Sequence, residues 1–353
     1  MKSLIFGYGI TGQSFERYLT RKGAIFDIYD ANLKGPNISN RLPDQTILSS
    51  YEMIYLSPGI NLKKLYTKGE FNKIPFLTDL DIFFQEDTSY KIGVTGTNGK
   101  STCCYQLHQL LEDSQLIGNI GTPVLDSINS YSYSIIELSS FQLEKVKHIN
   151  LDFGVLLNIA PDHIDHHGTF AEYANIKNRI KESKISTEES NPKKLWSMIT
   201  GRKQREVEDV ALQELPHRLQ YVVTENQLVF INDSKATNLT ALKFALNKMS
   251  SPYILILCGD PDKEQYENYK ISGPTKVYIF GKHAEEISKR VSHPEKILIC
   301  NQDLSSVMNC IFEDVYDCQT TILFSPGHPS GQDYKNFEER GDHFIKLALR
   351  SND

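Results

Sequence analysis

Apolar residues come along this chain in short runs, each closed by glycine, serine or proline and followed by a stretch with helical spacing. Lys2–Phe6 is the first run; it enters Gly7-Tyr8-Gly9, after which Phe15, Tyr18 and Leu19 mark one face of a helix. Ala24–Tyr29 is a second predicted strand, ending at Asp30, and Met53–Leu56 a third, stopped by Ser57-Pro58-Gly59. The polar stretch Gln85–Ser89 reads as a linker. A new unit opens at Lys91–Thr95, a strand entering a second glycine-rich loop, with Ser134–Glu137 and Phe153–Asn158 as further strands.

Residues 178–215 are charged, with helical spacing around Leu195, Trp196 and Ile199 and again around Val207, Val210 and Leu212. Two short helices and no strand are expected there, packed as a bridge on the central sheet with Trp196 buried. Beyond Pro216, Tyr221–Val223 and Leu228–Ile231 predict a hairpin turning at Glu225-Asn226. Strands recur at Tyr253–Leu257, Lys276–Phe280, Lys296–Ile299 and Thr320–Phe324. Strands alternating with helices predict parallel sheets. The fold class is therefore α/β in three domains, 1–87, 88–215 and 216–353: a Rossmann-like unit, a central phosphate-loop unit with a parallel sheet, and a second Rossmann-like unit.

Composition narrows this picture only a little. The chain is 40% hydrophobic and 23% charged, ordinary for a globular protein. A net charge of −6 argues against a nucleic-acid or membrane-surface binder, both of which need positive fields. No apolar run reaches the ~18 residues of a membrane span, and the first run is too short for a secretory leader. The six cysteines, Cys103, Cys104, Cys258, Cys300, Cys310 and Cys318, show no C-x-x-C spacing and read as buried thiols of a cytoplasmic protein. A monomer is expected.

The two glycine loops carry the candidate chemistry. Gly96-Thr97-Asn98-Gly99-Lys100-Ser101-Thr102 lies between a strand and a helix. Backbone amides of such a loop form a phosphate site with the helix N-terminus; Lys100 adds a positive charge and the Ser101 hydroxyl can ligate Mg2+. The general phosphate-loop pattern fails by one position, since Val94 stands where a glycine belongs and Gly93 is one residue early. Gly7-Tyr8-Gly9-Ile10-Thr11-Gly12 fits G-x-G-x-x-G after a strand, with Asp30 closing the next. On its own it suits NAD, another diphosphate, or a plain tight turn.

Several unusual strings then follow in a fixed order. They are Ser57-Pro58-Gly59-Ile60, the loop from Thr95 to Thr102, Gly118-Asn119-Ile120-Gly121, Glu137-Leu138-Ser139-Ser140-Phe141-Gln142-Leu143 and Asn158-Ile159-Ala160-Pro161-Asp162-His163-Ile164-Asp165-His166-His167. After them come Tyr173-Ala174-Asn175-Ile176-Lys177, Pro216-His217-Arg218, Asn232-Asp233-Ser234-Lys235-Ala236-Thr237-Asn238, Cys258-Gly259-Asp260 with Lys263, and Asn336-Phe337-Glu338-Glu339-Arg340-Gly341. On these strings the chain resembles the Mur ligases over nearly its whole length, and the E-L-S-S-F-Q-L and N-D-S-K-A-T-N strings are similar to the branch that adds D-glutamate.

The resemblance implies ATP-dependent ligation of glutamate to UDP-N-acetylmuramoyl-L-alanine through an acyl phosphate, with small molecules as the only partners. It implies that Ile10, Thr11, Asp30, Ser57, Gly59, Asn119, Ser139 and Gln142 hold the UDP-sugar, with Asp30 near the uracil. Gly96, Thr97, Asn98, Gly99, Lys100, Ser101, Thr102, Arg218 and Asp233 would bind ATP. Lys235, Thr237, Lys263, Ser330 and Phe337 would hold the amino acid. Lys100, Glu137, His163 and Lys177 would be catalytic, and Ser101, Glu137, His163 and a carbamylated Lys177 would ligate Mg2+. His217 reads as structural.

Three departures accompany the resemblance. Residues 178–217 replace a longer family segment that carries an H-N-x-x-N string near the adenine, absent here. The family's S-P-A-C-A-S-x-D-Q-F reads Ser325-Pro326-Gly327-His328-Pro329-Ser330-Gly331-Gln332-Asp333-Tyr334, and Ala31-Asn32 stand where Thr-Arg is usual. ATP is therefore expected to be gripped mainly through its phosphates. The alternative reading is a ligase-derived nucleotide- or UDP-sugar-binding protein with weak or no activity.

Overall fold

A computed structural model describes residues 2–33, 35, 37–66, 75–223, 228–250, 252–261, 268–300, 303–314 and 320–349. The predicted hairpin turn at Glu225-Asn226, together with Lys263 and Cys318, lies outside them. The chain divides into two compact units, 1–213 and 214–353.

The first unit opens with β1 (Lys2–Phe6), α1 (Ile10–Arg21), β2 (Ile25–Tyr29), β3 (Ile38–Ser39), α2 (Gln45–Ser49), β4 (Met53–Leu56), α3 (Leu62–Leu65), β5 (Phe76–Leu77) and α4 (Asp79–Glu86). The five strands form a parallel sheet in the order β3-β2-β1-β4-β5. β1 is central and the chain leaves it first to one side, then to the other, so the first glycine turn sits at a switch point, where open α/β sheets bind ligands.

Next come β6 (Tyr90–Thr95), α5 (Lys100–Leu110), β7 (Ser114–Gly118), β8 (Tyr133–Glu137), α6 (Ser140–Lys145), β9 (Phe153–Leu156), α7 (Ile164–His167), α8 (Phe170–Asn178), β10 (Ile185–Thr187) and α9 (Pro192–Thr200). Their parallel order, β10-β9-β6-β8-β7, again puts the strand that enters a glycine loop at the centre. The predicted boundary near residue 87 separates the two sheets but not their cores. Ile5, Phe15 and Leu19 share one apolar cluster with Phe83, Ile117, Ile136 and Leu138. Nor is Gln85–Ser89 a loose linker: the buried Asp87 carboxylate accepts from the amides of Ser89 (2.9 Å) and Asn129 (2.7 Å).

The shortened segment differs from expectation in two ways. Ile185–Thr187 is a strand, the edge β10 paired with β9, because its backbone completes the ladder of an otherwise open sheet edge. The second predicted helix is a single 3-10 turn at Gln204–Glu206; Val207 is buried while Val210 is exposed. The first helix stands as α9, with Asn191 capping its N-terminus and Gly201 ending it at φ +70°. Leu195 and Trp196 are buried, packed with Ile92, Val94, Cys103, Leu107 and Val155 of the central sheet and α5.

The second unit runs β11 (Gln220–Val223), β12 (Val229–Asn232), α10 (Leu239–Lys248), β13 (Tyr253–Cys258), β14 (Tyr269–Lys270), β15 (Lys276–Gly281), α11 (Ala284–Arg290), β16 (Val291–Ser292), β17 (Lys296–Cys300), α12 (Leu304–Asp314), β18 (Thr321–Gly327) and α13 (Phe337–Leu349). Its main sheet is ordered β11-β12-β18-β13-β15-β17, parallel except for the predicted antiparallel pair β11 and β12, in which Tyr221 faces Ile231.

Trp196, the only tryptophan, is 3% exposed and carries the Arg202 guanidinium 5.0 Å from its ring centroid. Its emission is expected well to the blue of free tryptophan and resistant to iodide. Trp196→Ala should cost about 3–5 kcal/mol in a denaturant melt. A water-like emission maximum would contradict this packing.

Candidate functional site

The site is assembled at the carboxyl edge of the central sheet. Register places Val94 of β6 opposite Glu137 of β8, and Thr95 opposite Leu156 of β9. The chain turns at Gly96, where an added Cβ would press on Leu157 at 3.0 Å, and enters α5 at Gly99, whose φ of +84° favours glycine. Gly99 offers no capping side chain, so the first-turn amides of α5 point outward at the positive end of the helix dipole. Asn158 pins the loop from β9's side: its Oδ1 accepts from the Asn98 amide and its Nδ2 donates to the Asn98 carbonyl, both at 2.9 Å. The Asn158 carbonyl accepts from the Thr97 amide at 2.9 Å.

Two lysines meet on this loop. Lys100 Nζ donates to the carbonyls of Gly96 (2.8 Å) and Thr97 (3.0 Å). Lys177, brought in on α8 and almost wholly buried, donates to the same Gly96 carbonyl at 2.9 Å and to Thr95 Oγ1 at 3.3 Å. Its ammonium also lies 5.1 Å from the Tyr173 ring centroid. Burial, and then the Lys100 charge, push the Lys177 amine down from 10.5 to about 7; Asp162 and Glu137 only partly oppose this.

Glu137 is 2% exposed at the end of β8. Its Oε1 accepts from Asn119 Nδ2 at 2.7 Å, while its Oε2 has no hydrogen-bond partner among the described residues. A buried carboxylate oxygen with nothing to accept from is costly unless a cation faces it. Ser101 is buried at the start of α5, and Thr102 follows it in the first turn. His163 takes a left-handed backbone (φ +50°), with its half-exposed imidazole 5.0 Å from Phe141 by ring centroids. Ser139 and Gln142 form the capping box of α6, Gln142 Oε1 accepting from the Ser139 amide at 3.0 Å.

The first glycine turn is equally specific. Gly7 has φ +93°, and a Cβ on Gly12 would collide with the Gly7 carbonyl. Ser57 Oγ donates to that carbonyl at 2.7 Å, and Asp30 Oδ2 accepts from the Tyr8 amide at 2.7 Å. Asp30 thus holds the turn, and its Oδ1 is engaged by the amides of Asn32 and Leu33. Added Cβ atoms on Gly9 and Gly59 meet nothing within 4 Å, so backbone is accessible on both sides of the turn; Ile10 is 75% exposed, with Thr11 beside it at the start of α1.

In the second unit, β12 delivers Asn232-Asp233-Ser234-Lys235-Ala236-Thr237-Asn238 to the sheet's carboxyl edge. Arg340 of α13, fully buried, donates to Ser234 Oγ (3.0 Å), the Ser234 carbonyl (2.8 Å) and the His328 carbonyl (3.1 Å). It clamps the string to the loop after β18, a role the sequence did not expose although Arg340 stood in a recognised string. Asp233 accepts from Ser325 Oγ (2.7 Å) and the Leu219 amide (3.2 Å), and burial raises its carboxyl to about 6. Lys235 Nζ lies 3.8 Å from the Phe337 ring centroid, and the Thr237 amide donates to the Lys235 carbonyl. Arg218 follows His217, which is buried against Asn232 at 2.9 Å, the structural part read from sequence. Ser330 is partly buried after His328.

Residues 94–190 match the Mur ligase middle domain. The UDP-N-acetylmuramoylalanine–D-glutamate ligase of Buchnera aphidicola subsp. Acyrthosiphon pisum (strain Tuc7) is 30% identical to this chain over 433 aligned positions, 98% of this chain and 97% of that protein. The ligase of the same name from Rickettsia prowazekii (strain Madrid E) is 28% identical, over 98% and 97%. Among solved structures, the MurF ligase of Thermotoga maritima in complex with ADP shares the fold, with a TM-score of 0.54 at 14% identity over 99% of this chain and 95% of that one. With 433 aligned positions against 353 residues, at least 80 positions of the Buchnera alignment face gaps in this chain.

The low folded-state value of Lys177 carries a stability signature. Between about 7 and 10.5 the unfolded chain binds the proton that the folded chain has released, so stability rises with pH across that window. Against Lys177→Met, the wild type should carry its full deficit below about pH 7 and lose it towards pH 10, a change on the order of 4 kcal/mol. Denaturant melts in carbonate-free buffer measure this; a pH-independent difference would rule out the depressed amine.

Proposed function

This chain belongs to the Mur ligase family, and from that membership we propose that it joins D-glutamate to UDP-N-acetylmuramoyl-L-alanine at the expense of ATP, in the making of peptidoglycan precursors. The observation that carries the residue assignments is the carboxyl edge of β6. There a phosphate loop, an unpartnered buried carboxylate oxygen on Glu137 and a buried, near-neutral Lys177 amine stand together.

A carboxylate is a poor electrophile, so ATP must first convert the alanyl carboxylate to an acyl phosphate. Loop amides from Gly96 to Gly99 and the first turn of α5 cradle the phosphates, and Lys100 exchanges its loop carbonyls for phosphate oxygens. Mg2+ fits here: Glu137 Oε2 lacks a donor and the Ser101 hydroxyl lies at the helix start, with His163 completing the set by resemblance alone. When bound, it neutralises charge on the transferring phosphoryl group. The Lys177 amine, about half of it neutral near pH 7, is nucleophilic enough to add to carbon dioxide with loss of a proton, and the resulting carbamate would supply an anionic oxygen beside Lys100.

The first glycine turn receives the UDP diphosphate on the exposed backbone between Gly9 and Thr11, with Asp30, Ser57, Gly59, Asn119, Ser139 and Gln142 assigned to the same substrate. Arg218 and Asp233 serve the nucleotide. Lys235, Thr237, Ser330, Phe337 and Lys263 are assigned to glutamate, whose amine attacks the acyl phosphate, loses a proton and expels phosphate to give the amide, ADP having left in the first step. The protein's share of the rate is positioning and electrostatics. A monomer in the cytoplasm suits soluble substrates of this kind, and none of the described helices is long and apolar enough to cross a membrane.

Lys100→Ala is expected to lower acyl-phosphate formation by about 10²–10³-fold while UDP-sugar binding, on another sheet, persists; near-normal ATP turnover would break the phosphate-loop assignment. The gaps opposite at least 80 aligned positions favour a second reading, a binding protein without turnover. Phosphate release with UDP-N-acetylmuramoyl-L-alanine and each glutamate enantiomer separates the two: release with D-glutamate supports the ligase, and none with either enantiomer supports the binder. With the adenine-side string missing, discrimination between ATP and GTP should be weaker than a full adenine pocket would give, as turnover with each nucleotide would measure; a strong ATP preference would mean that another segment has rebuilt the base pocket.

A further inference from the structure

Behind the phosphate loop, three side chains that the ligase reading does not use converge between α6 and α7. Glu144 comes from α6; His166 and His167 are the last residues of α7. His166 Nε2 lies 2.9 Å and His167 Nδ1 3.9 Å from Glu144 Oε2, and one ligand atom from each residue falls within 4.8 Å of the others. The His167 side chain is wholly buried, those of His166 and Glu144 11% and 20% exposed.

The decisive atom is His167 Nδ1. It is buried without a hydrogen-bond partner among the described residues and points at the Glu144 carboxylate, whereas its Nε2 is engaged by Ser140 Oγ at 2.9 Å. A hydrogen-bonded Glu144–His166 pair explains those two residues alone and leaves this nitrogen idle. We propose that Glu144, His166 and His167 form a structural site for a divalent transition-metal ion of the zinc class, tying α6 to α7. This inference does not rest on the ligase reading.

The ligand set supports that class. Two imidazoles and one carboxylate suit zinc or cobalt far better than Mg2+, which prefers oxygen. With bonds of about 2.0–2.2 Å, neighbouring donors of a tetrahedral ion sit about 3.3–3.6 Å apart, between the two distances observed. Ser140 holds one ring from outside, as the outer partners of metal-bound histidines do. The faces left partly exposed at Glu144 and His166 leave room for a water as fourth ligand.

Loading also requires a proton to move. Asn61 caps α3 by accepting from the Lys64 amide at 3.2 Å, which turns its Nδ2 to His166 Nδ1 at 3.2 Å. That amide donates, so His166 carries its proton on Nε2 and gives it to Glu144. A metal needs that nitrogen's lone pair, so the proton must pass to Nδ1, where Asn61 offers no acceptor. Asn61→Asp supplies one without giving up the cap.

The test is a titration of the whole chain with Co2+ in excess Mg2+, followed by visible absorption. One Co2+ per chain is expected, with four- or five-coordinate bands and no thiolate charge transfer. Glu144→Gln and His166→Gln should each weaken uptake at least about tenfold, and Asn61→Asp should tighten it about tenfold. No stoichiometric uptake by the wild type, thiolate bands, or affinities that all three substitutions leave unchanged would overturn the site. Asn61→Asp keeps the test decisive if a ligand variant fails to fold.

Discussion

The carbonyl oxygen of Gly96 accepts hydrogen bonds from both Lys100 and Lys177. Two cations sharing one neutral acceptor repel one another, and either the loss of a proton or the approach of an anion relieves them. Burial and mutual repulsion together drive one of the pair, Lys177, towards its neutral form. What remains is a concentrated positive field at a helix N-terminus, facing an unpartnered carboxylate oxygen on Glu137. Such a concentration of positive charge favours anions, and the unpartnered Glu137 oxygen favours a cation.

That arrangement requires a rigid frame, and the chain supplies it through backbone-directed polar contacts more than through apolar packing. Asn158 fixes the loop on both sides of Asn98, Thr95 Oγ1 donates to the Leu138 carbonyl at 2.8 Å, and Tyr173 lies under the Lys177 ammonium. In the second unit the buried Arg340 does the same with three hydrogen bonds to Ser234 and His328. The guanidinium is held there by carbonyls and a hydroxyl, with the Cys258 thiol and the Asp333 carboxylate adding to its hold, which suits a clamp on a loop.

Much of this was legible from the sequence because it depends on local rules. Short apolar runs closed by turn residues located nearly all the long strands, and the glycine loops fell at the two switch points because each follows a central strand. What escaped was set by tertiary context. β10 carries no apolar pattern, with Ile185 and Ser186 exposed, and is a strand only because β9 offers it an edge. The spacing of Val207, Val210 and Leu212 suggested a helix, but the segment is held by Val207 and Leu212 packing singly on the central core. Nor did the sequence expose the part Asp30 plays in holding the first glycine turn, where its carboxylate accepts from the amides of Tyr8, Asn32 and Leu33. The convergence of Glu144 with His166 and His167 was invisible, since it needs two helices from distant segments to meet.

The short segment after α8 shows how little cover the central sheet needs. A parallel sheet must be covered on both faces, and α9 meets that need with Leu195 and Trp196 against Ile92, Val94 and Val155. The phosphate loop draws its support from β6, β9 and α8, all of which precede this segment in the chain. Residues can therefore be lost after Lys177 without disturbing the lysine pair or Glu137, provided one amphipathic helix remains as cover. The geometry of the glycine loop, fixed by Asn158 and the two lysines, is what such a reduction leaves intact.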